Sequence, residues 1–333
     1  GAALLRPIMI PRAIARWQSE LAAALTRPEE LLARLGLDPA TLPIAPSPFP
    51  LRVPLAYVDR MRRCDREDPL LRQVLPVGEE HHLAPGFSRD PVGDLAAATT
   101  PGLLRKYRGR ALLVVTGACP IHCRYCFRRH FPYREHAGEQ AWDAALAAVA
   151  ADGSVQEVIL SGGDPLTLSD DRLAGLVQRV AAIPHVRRLR VHTRAPVALP
   201  SRVDEGFLSW LETCPLQTVV VLHANHPAEV DDAVSRATRE LARTGVTLLN
   251  QAVLLRGVND DARVLAELSD RLFQSRVLPY YLHQLDPVQG AAHFQVADDS
   301  ARALLAALRE RLPGYLVPRL VRELRGAPSK LPL

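Results

Sequence analysis

Lysine is almost absent from this chain. Of 41 basic residues only Lys106 and Lys330 are lysines, so chemistry that needs a primary amine from the protein has two candidates. Long apolar runs are missing too: none approaches the ~18 residues that a membrane span needs. The opening GAALLRPIMIPRAIARW has no apolar stretch followed by a small-residue cleavage site. No membrane association and no export are therefore expected. Cysteine is sparse, at five, and three are packed together as Cys119, Cys123 and Cys126, leaving Cys64 and Cys214 far apart. A disulfide scaffold is not built this way in a chain of this size, so a reducing, cytoplasmic compartment and a metal site are the expectation. An excess of basic charge is also lacking: the formal charge is +5 over 333 residues, with bases scattered among acids. Nucleic acid is not an expected partner.

What is present is a globular composition, 48% apolar, with ample core. Short β-branched runs at Ala111–Val115, Val155–Leu160, Arg188–His192, Thr218–Leu222, Val246–Asn250 and Val277–Leu282 alternate with helical patterns at Gln140–Ala150, Asp170–Ala182, Pro227–Arg243 and Asp261–Gln274. Such alternation predicts a parallel sheet of β/α units. Too little chain remains for eight units, so the fold class is α/β, an incomplete (β/α)6 barrel, with 314–324 as an additional strand candidate. A doubly wound open sheet is the alternative. Three segments are expected: a helical, loop-rich extension over 1–100, the barrel over 101–312, and a C-terminal strand and tail over 313–333. In the extension, Ile14–Leu25 and Pro28–Leu35 read as short amphipathic helices, and LPIAPSPFPLRVP (42–54) as a proline-broken connector.

Polar and glycine-rich segments follow the strands: TGACPIHCRYC after Val115, SGGDP after Leu160, TRAP after His192, HANHP after Leu222 and HQLDP after Leu282. That rim is where β/α barrels keep their active sites. Cys119-x3-Cys123-x2-Cys126 puts three thiols on one tight loop. Three thiolates can hold a [4Fe–4S] cluster with one iron left open, in a spacing unlike the four-cysteine ferredoxin run. A zinc site with His122 or His130 as fourth ligand is the competing reading.

CxxxCxxC after the first strand resembles the radical S-adenosylmethionine (SAM) superfamily. CRYCFRRHF, SGGDPL, HTRAPVALPSRV, NHPAEV, NQAVLLRGVND, PYYLHQLD and GAPSK resemble the lysine 2,3-aminomutases. FRRHFPY, LLNQ, PYYLH, VQGAAHF and GYLVP are most similar to the bacterial branch that serves elongation factor P. The likeness runs from roughly residue 50 to the end. It implies a cluster on the three cysteines, with SAM held near Gly162, Gly163, Asp164, His223 and Gln251, and Thr193 and Arg194 close by. It also implies pyridoxal phosphate (PLP) carried by Lys330, its phosphate met by Tyr107 and Arg110, with Lys106 standing where the family has arginine.

The implied substrate site has Arg128 on the carboxylate, Arg129 competing for that role, and Asp286 and Glu323 on a distal ammonium. Glu323 departs from the family's usual Asp. The implied activity is a radical SAM, PLP-dependent isomerase that turns L-α-lysine into (R)-β-lysine for elongation factor P. It would draw electrons from a flavodoxin or ferredoxin and stand in a functional link with a lysyl-ligating enzyme. Two other readings stay open: an aminomutase for another amino acid, and a non-catalytic iron–sulfur or zinc protein. From the residues alone, Asp164 also reads as a helix cap, His223 as a structural hydrogen bonder, and Lys330 as a solvated tail residue.

Overall fold

The computed structural model describes residues 14–333; the expectation about the opening stretch falls mostly on residues outside these. One sheet contains β1 (Leu103–Leu104), β2 (Arg110–Thr116), β3 (Glu157–Gly162), β4 (Arg188–Thr193), β5 (Gln217–Leu222), β6 (Thr247–Val253), β7 (Leu278–His283), β8 (Arg319–Arg322) and β9 (Leu331–Pro332). Their spatial order is the chain order. Every pair from β2 to β8 is parallel, while β1 and β9 pair antiparallel at the two edges. A doubly wound sheet reverses its strand order at a switch point. This sheet does not, and it stays open, as an incomplete barrel does.

The six expected strands are all present. The candidate at 314–324 supplies a seventh parallel strand, Arg319–Arg322, after a single 3-10 turn at Gly314–Leu316. The expected helix over Pro227–Arg243 is two pieces, a 3-10 turn at Pro227–Glu229 and a helix at Asp232–Arg243. Between them Asp231 is extended, and its carboxylate caps the Val234 N–H at 2.9 Å. The helices Glu205–Thr213 and Asp298–Arg311 were not anticipated. The latter opens on Asp298 and Asp299 and closes on Arg309 and Arg311, charges that complement the helix dipole.

Strand alternation sorts the side chains between two environments. On β4, Leu189 and Val191 join the core that Trp142, Leu146, Leu173 and Leu176 of the crossover helices complete. Arg190 and His192 therefore face the barrel interior. A second core, built from Leu31, Leu32, Leu51, Tyr57, Leu70 and Leu71 of the extension, takes in Ile121 of the cysteine loop and Ala198 after β4. The extension is thus packed onto the rim.

A buried ion triad reinforces that junction. Arg124, with no exposed surface, sends Nε to Glu80 Oε1 at 2.7 Å and Nη2 to Glu80 Oε2 at 2.5 Å, while Arg129 pairs with the same carboxylate. Burial opposes ionisation of Glu80, yet the two guanidiniums hold its carboxyl below the usual range. Breaking one partner of a buried pair costs about 3–5 kcal/mol. Glu80→Gln is accordingly expected to destabilise the protein by about that amount, read from the midpoint of denaturant unfolding at neutral pH.

Candidate active site

Two loops meet at the mouth of β2 and β3. The N–H of Gly163 donates to Thr116 O at 2.7 Å and that of Asp164 to Ala118 O at 2.8 Å. A Cβ on Gly163 would stand 2.3 Å from Ala118 O, and one on Gly162, whose φ is +114°, would stand 2.7 Å from Thr116 O. The paired glycines therefore allow the close contact between the two loops. Asp164 is saturated. Its carboxylate accepts from Thr193 Oγ1 (2.7 Å), Leu166 N (3.0 Å), Arg194 N (2.7 Å) and Ala195 N (3.0 Å), strapping the ends of β3 and β4 together. The cap reading describes what this carboxylate touches.

Cys119, Cys123 and Cys126 lie on the loop facing this strap, unpaired and partly buried; Cys64 is exposed and Cys214 sits beside Thr218. Burial pushes the Cys119 thiol up, and burial with the neighbouring Cys123 pushes Cys126 up to about 11. Metal loading must displace those protons. His122 Nδ1 is 2.8 Å from Pro50 O with its ring stacked on Phe49, and His130 Nε2 is 3.2 Å from Gln289 O. Among the described residues, no three His, Cys, Asp or Glu side chains form a set that could hold one metal ion. A cubane asks something different, one thiolate on each of three irons, and the three-thiol donor set fits that.

Across the rim runs a ladder of charges alternating in sign. Lys330 Nζ lies 2.5 Å from Glu323 Oε2, Glu323 Oε1 is 2.7 Å from Lys106 Nζ, Lys106 is 2.5 Å from Asp94 Oδ1, and Asp94 Oδ2 is 2.6 Å from Arg128 Nε. Lys330 is held rather than mobile because β9, directly after it, pairs with β8, which carries Val321 and Arg322 next to Glu323. Burial works against charge on Glu323, but the two lysines hold its carboxyl down at about 2. For Asp286 the same lysines are outweighed: burial, then the Glu323 charge, pushes it up to about 7. Arg128 also reaches Ser161 Oγ at 3.2 Å. Arg129, the competing candidate, is spent on Glu80 and on the Arg124 and Gly290 carbonyls. The Tyr107 hydroxyl is buried near Glu323 with no well-formed hydrogen bond, and Arg110 lies over its ring, 5.0 Å from the centroid.

Imidazoles line the interior. Burial, with the nearby Arg194 and Arg128 charges, drives His223 down to about 3; its Nε2 accepts from Gln251 Nε2 at 2.9 Å. Burial and Lys330 likewise bring His283 to about 3, and His192 falls well below its ordinary value with Nε2 unpartnered. These rings are neutral dipoles at neutral pH. Asp94, the hinge of the ladder, escaped sequence reasoning, as did Glu229, Tyr57 and Gln73 in a second buried network. DPVGD carries no signature of its own, whereas Glu229 stands inside the quoted NHPAEV.

An open barrel with sequential strands and a three-cysteine loop after its first parallel strand defines a radical SAM enzyme, and residues 113–268 match the radical SAM superfamily. The L-lysine 2,3-aminomutase of Escherichia coli is 49% identical over 322 residues, 95% of this chain and 94% of its own length. That of Haemophilus influenzae is 46% identical over 94% of each chain. The enzyme of the same name from Clostridium subterminale is 35% identical over 83% of this chain and 67% of its length. The chain belongs to the lysine 2,3-aminomutase family, whose members are isomerases of the radical SAM class. A [4Fe–4S] cluster and SAM are what that class uses.

Alanine at Cys119, Cys123 or Cys126 is expected to abolish stoichiometric iron and sulfide in anaerobically prepared protein, while alanine at Cys64 or Cys214 leaves both intact. Stoichiometric zinc without sulfide in the parent would refute the assignment.

Proposed function

We propose that the protein isomerises L-α-lysine to (R)-β-lysine in the cytoplasm, with the product destined for elongation factor P by way of a lysyl-ligating enzyme, and that a flavodoxin or ferredoxin supplies its electrons. The observation that carries this reading is the ladder. It joins the one tail lysine, a second lysine and a buried arginine, the groups that an aldehyde cofactor, its phosphate and a substrate carboxylate require. When bound, the cluster with SAM supplies a carbon radical that takes a substrate hydrogen, and PLP supplies the carbonyl that carries the migrating nitrogen. Cys119, Cys123 and Cys126 would hold the cluster, and Gly162, Gly163, Asp164, His223 and Gln251 would line the SAM side. Lys330, Tyr107, Arg110 and Lys106 would hold PLP, and the orphaned Tyr107 hydroxyl suits a phosphate oxygen.

The chain's own residues do the rest. Arg128 presents a fork that matches a carboxylate, steadied by Asp94. Neutral His192, His223 and His283 line the interior without adding charge near a radical. An incoming ammonium gives Asp286 the counter-charge that it lacks here. Glu323 already holds two ammonium groups, so a third can use it only after Lys330 has left.

Anaerobic incubation with reductant, SAM, PLP and candidate amino acids, followed by chiral product analysis, tests the reading. (R)-β-lysine is the expected product; preference for an acidic or apolar amino acid would overturn it. Borohydride reduction and peptide mapping should place the phosphopyridoxyl group on the peptide carrying Lys330, and labelling at Lys106 would refute that role.

Asp286 gives a pH signature. Its carboxyl is neutral below about 7, so lysine should bind progressively more weakly as pH falls through that value. Asp286→Asn is expected to cost about 2–5 kcal/mol of lysine affinity and to remove that pH dependence, read from KM across pH 6–9 with cluster and PLP content matched.

A further inference from the structure

Arg194 directly follows β4 with its guanidinium against the cysteine loop, 5% exposed. Nη1 lies 2.6 Å from Cys123 Sγ and also meets the Tyr125 hydroxyl. Nη2 reaches Glu229 Oε1 at 2.5 Å, Gln73 Oε1 at 2.8 Å and Tyr57 Oη at 3.2 Å. Glu229, itself fully buried, is fixed by the N–H groups of Asn225 at 2.6 Å and His226 at 2.9 Å and by the Tyr57 hydroxyl at 3.0 Å. Asn225 Nδ2 bonds Tyr125 Oη at 2.7 Å and Gln73 Oε1 at 2.9 Å. The guanidinium is thus clamped from the extension, the β5 loop and the cysteine loop. The Cys119 and Cys126 sulfurs are met by backbone N–H groups of Asp164 and Arg128, whereas Cys123 takes its hydrogen bond from a guanidinium side chain.

We propose that Arg194 sets the reduction potential of the cluster, by donating a hydrogen bond to the Cys123 sulfur and placing a fixed positive charge beside it, with Glu229 partly offsetting that charge. One electron from an external reductant adds one negative charge to the cluster. A cation and a donor at a ligating sulfur stabilise the reduced form more than the oxidised form and raise the potential. The low dielectric of this buried site strengthens the effect. Rigidity matters equally: a guanidinium held by five partners cannot swing away when the cluster charge changes.

The two members of the pair have opposite signs, so their variants must move the potential in opposite directions. Potentiometric titration followed by electron paramagnetic resonance, on protein matched for iron and sulfide, reads it. Arg194→Gln is expected to lower the midpoint by at least tenfold in the reduction equilibrium, 59 mV for a one-electron couple. Glu229→Gln, which leaves the guanidinium uncompensated, is expected to raise it. Where Arg194→Gln alone does not accumulate, Arg194→Gln/Glu229→Gln removes both buried charges together, a change buried pairs tolerate better. Its midpoint is expected below that of Glu229→Gln.

Shifts in the same direction, or no shift in either variant, overturn the proposal. It rests on Cys123 being an iron ligand. Full iron retention in Cys123→Ala would remove that footing, whereas iron loss there with unmoved potentials would sink the role of Arg194 alone.

Discussion

A charge buried at the rim of this barrel survives only beside its opposite. Stripping water from a carboxylate or an ammonium costs several kcal/mol per ion unless a partner sits against it. The chain meets that condition by alternation, Lys330, Glu323, Lys106, Asp94 and Arg128, with each contact between 2.5 and 2.7 Å. The members come from the tail, the residue just after β8, the loop before β2, the extension and the cysteine loop. No one segment can bury its charge without the others. The ladder therefore explains why an open sheet needs an extension at one edge and a returning tail at the other.

The second network obeys the same rule in a tighter form. Arg194 and Glu229 neutralise each other, and Tyr57, Gln73, Tyr125 and Asn225 fill the remaining hydrogen-bonding positions. The Tyr57 hydroxyl stays protonated, because burial and the adjacent Glu229 both raise its pKa well above the ordinary value. With the Glu80 triad, three ionic knots bind the extension to the rim. Apolar packing of Ile121 and Ala198 into the extension's own core supplies the rest. The cysteine loop is thereby held on both sides.

Strand-scale order was legible because it is written locally. β-branched runs of five or six residues gave all six expected strands, and their polar followers marked the rim. The cysteine loop was legible for the same reason. Pairings between residues far apart in sequence were not. Asp94 and Arg128 are 34 residues apart, and Arg194 and Gln73 are 121 apart, and nothing local distinguishes such an acid or amide from a solvated one. The Gly162–Gly163 pair shows the same limit: its need for room was legible, but not that the Thr116 and Ala118 carbonyls approach it.

Lys106 and Glu323, far apart in sequence, meet in one ion pair 2.7 Å long. An ammonium is a point charge without the planar fork of a guanidinium, and cannot engage a carboxylate through two parallel bonds. The Lys106 ammonium therefore occupies a single oxygen of Glu323, and the other oxygen remains for Lys330 at 2.5 Å. The side chain of Glu323, one methylene longer than an aspartate, carries its carboxylate to where both amines reach it. Lys106 and Glu323 together form the step of the ladder that fixes the tail lysine.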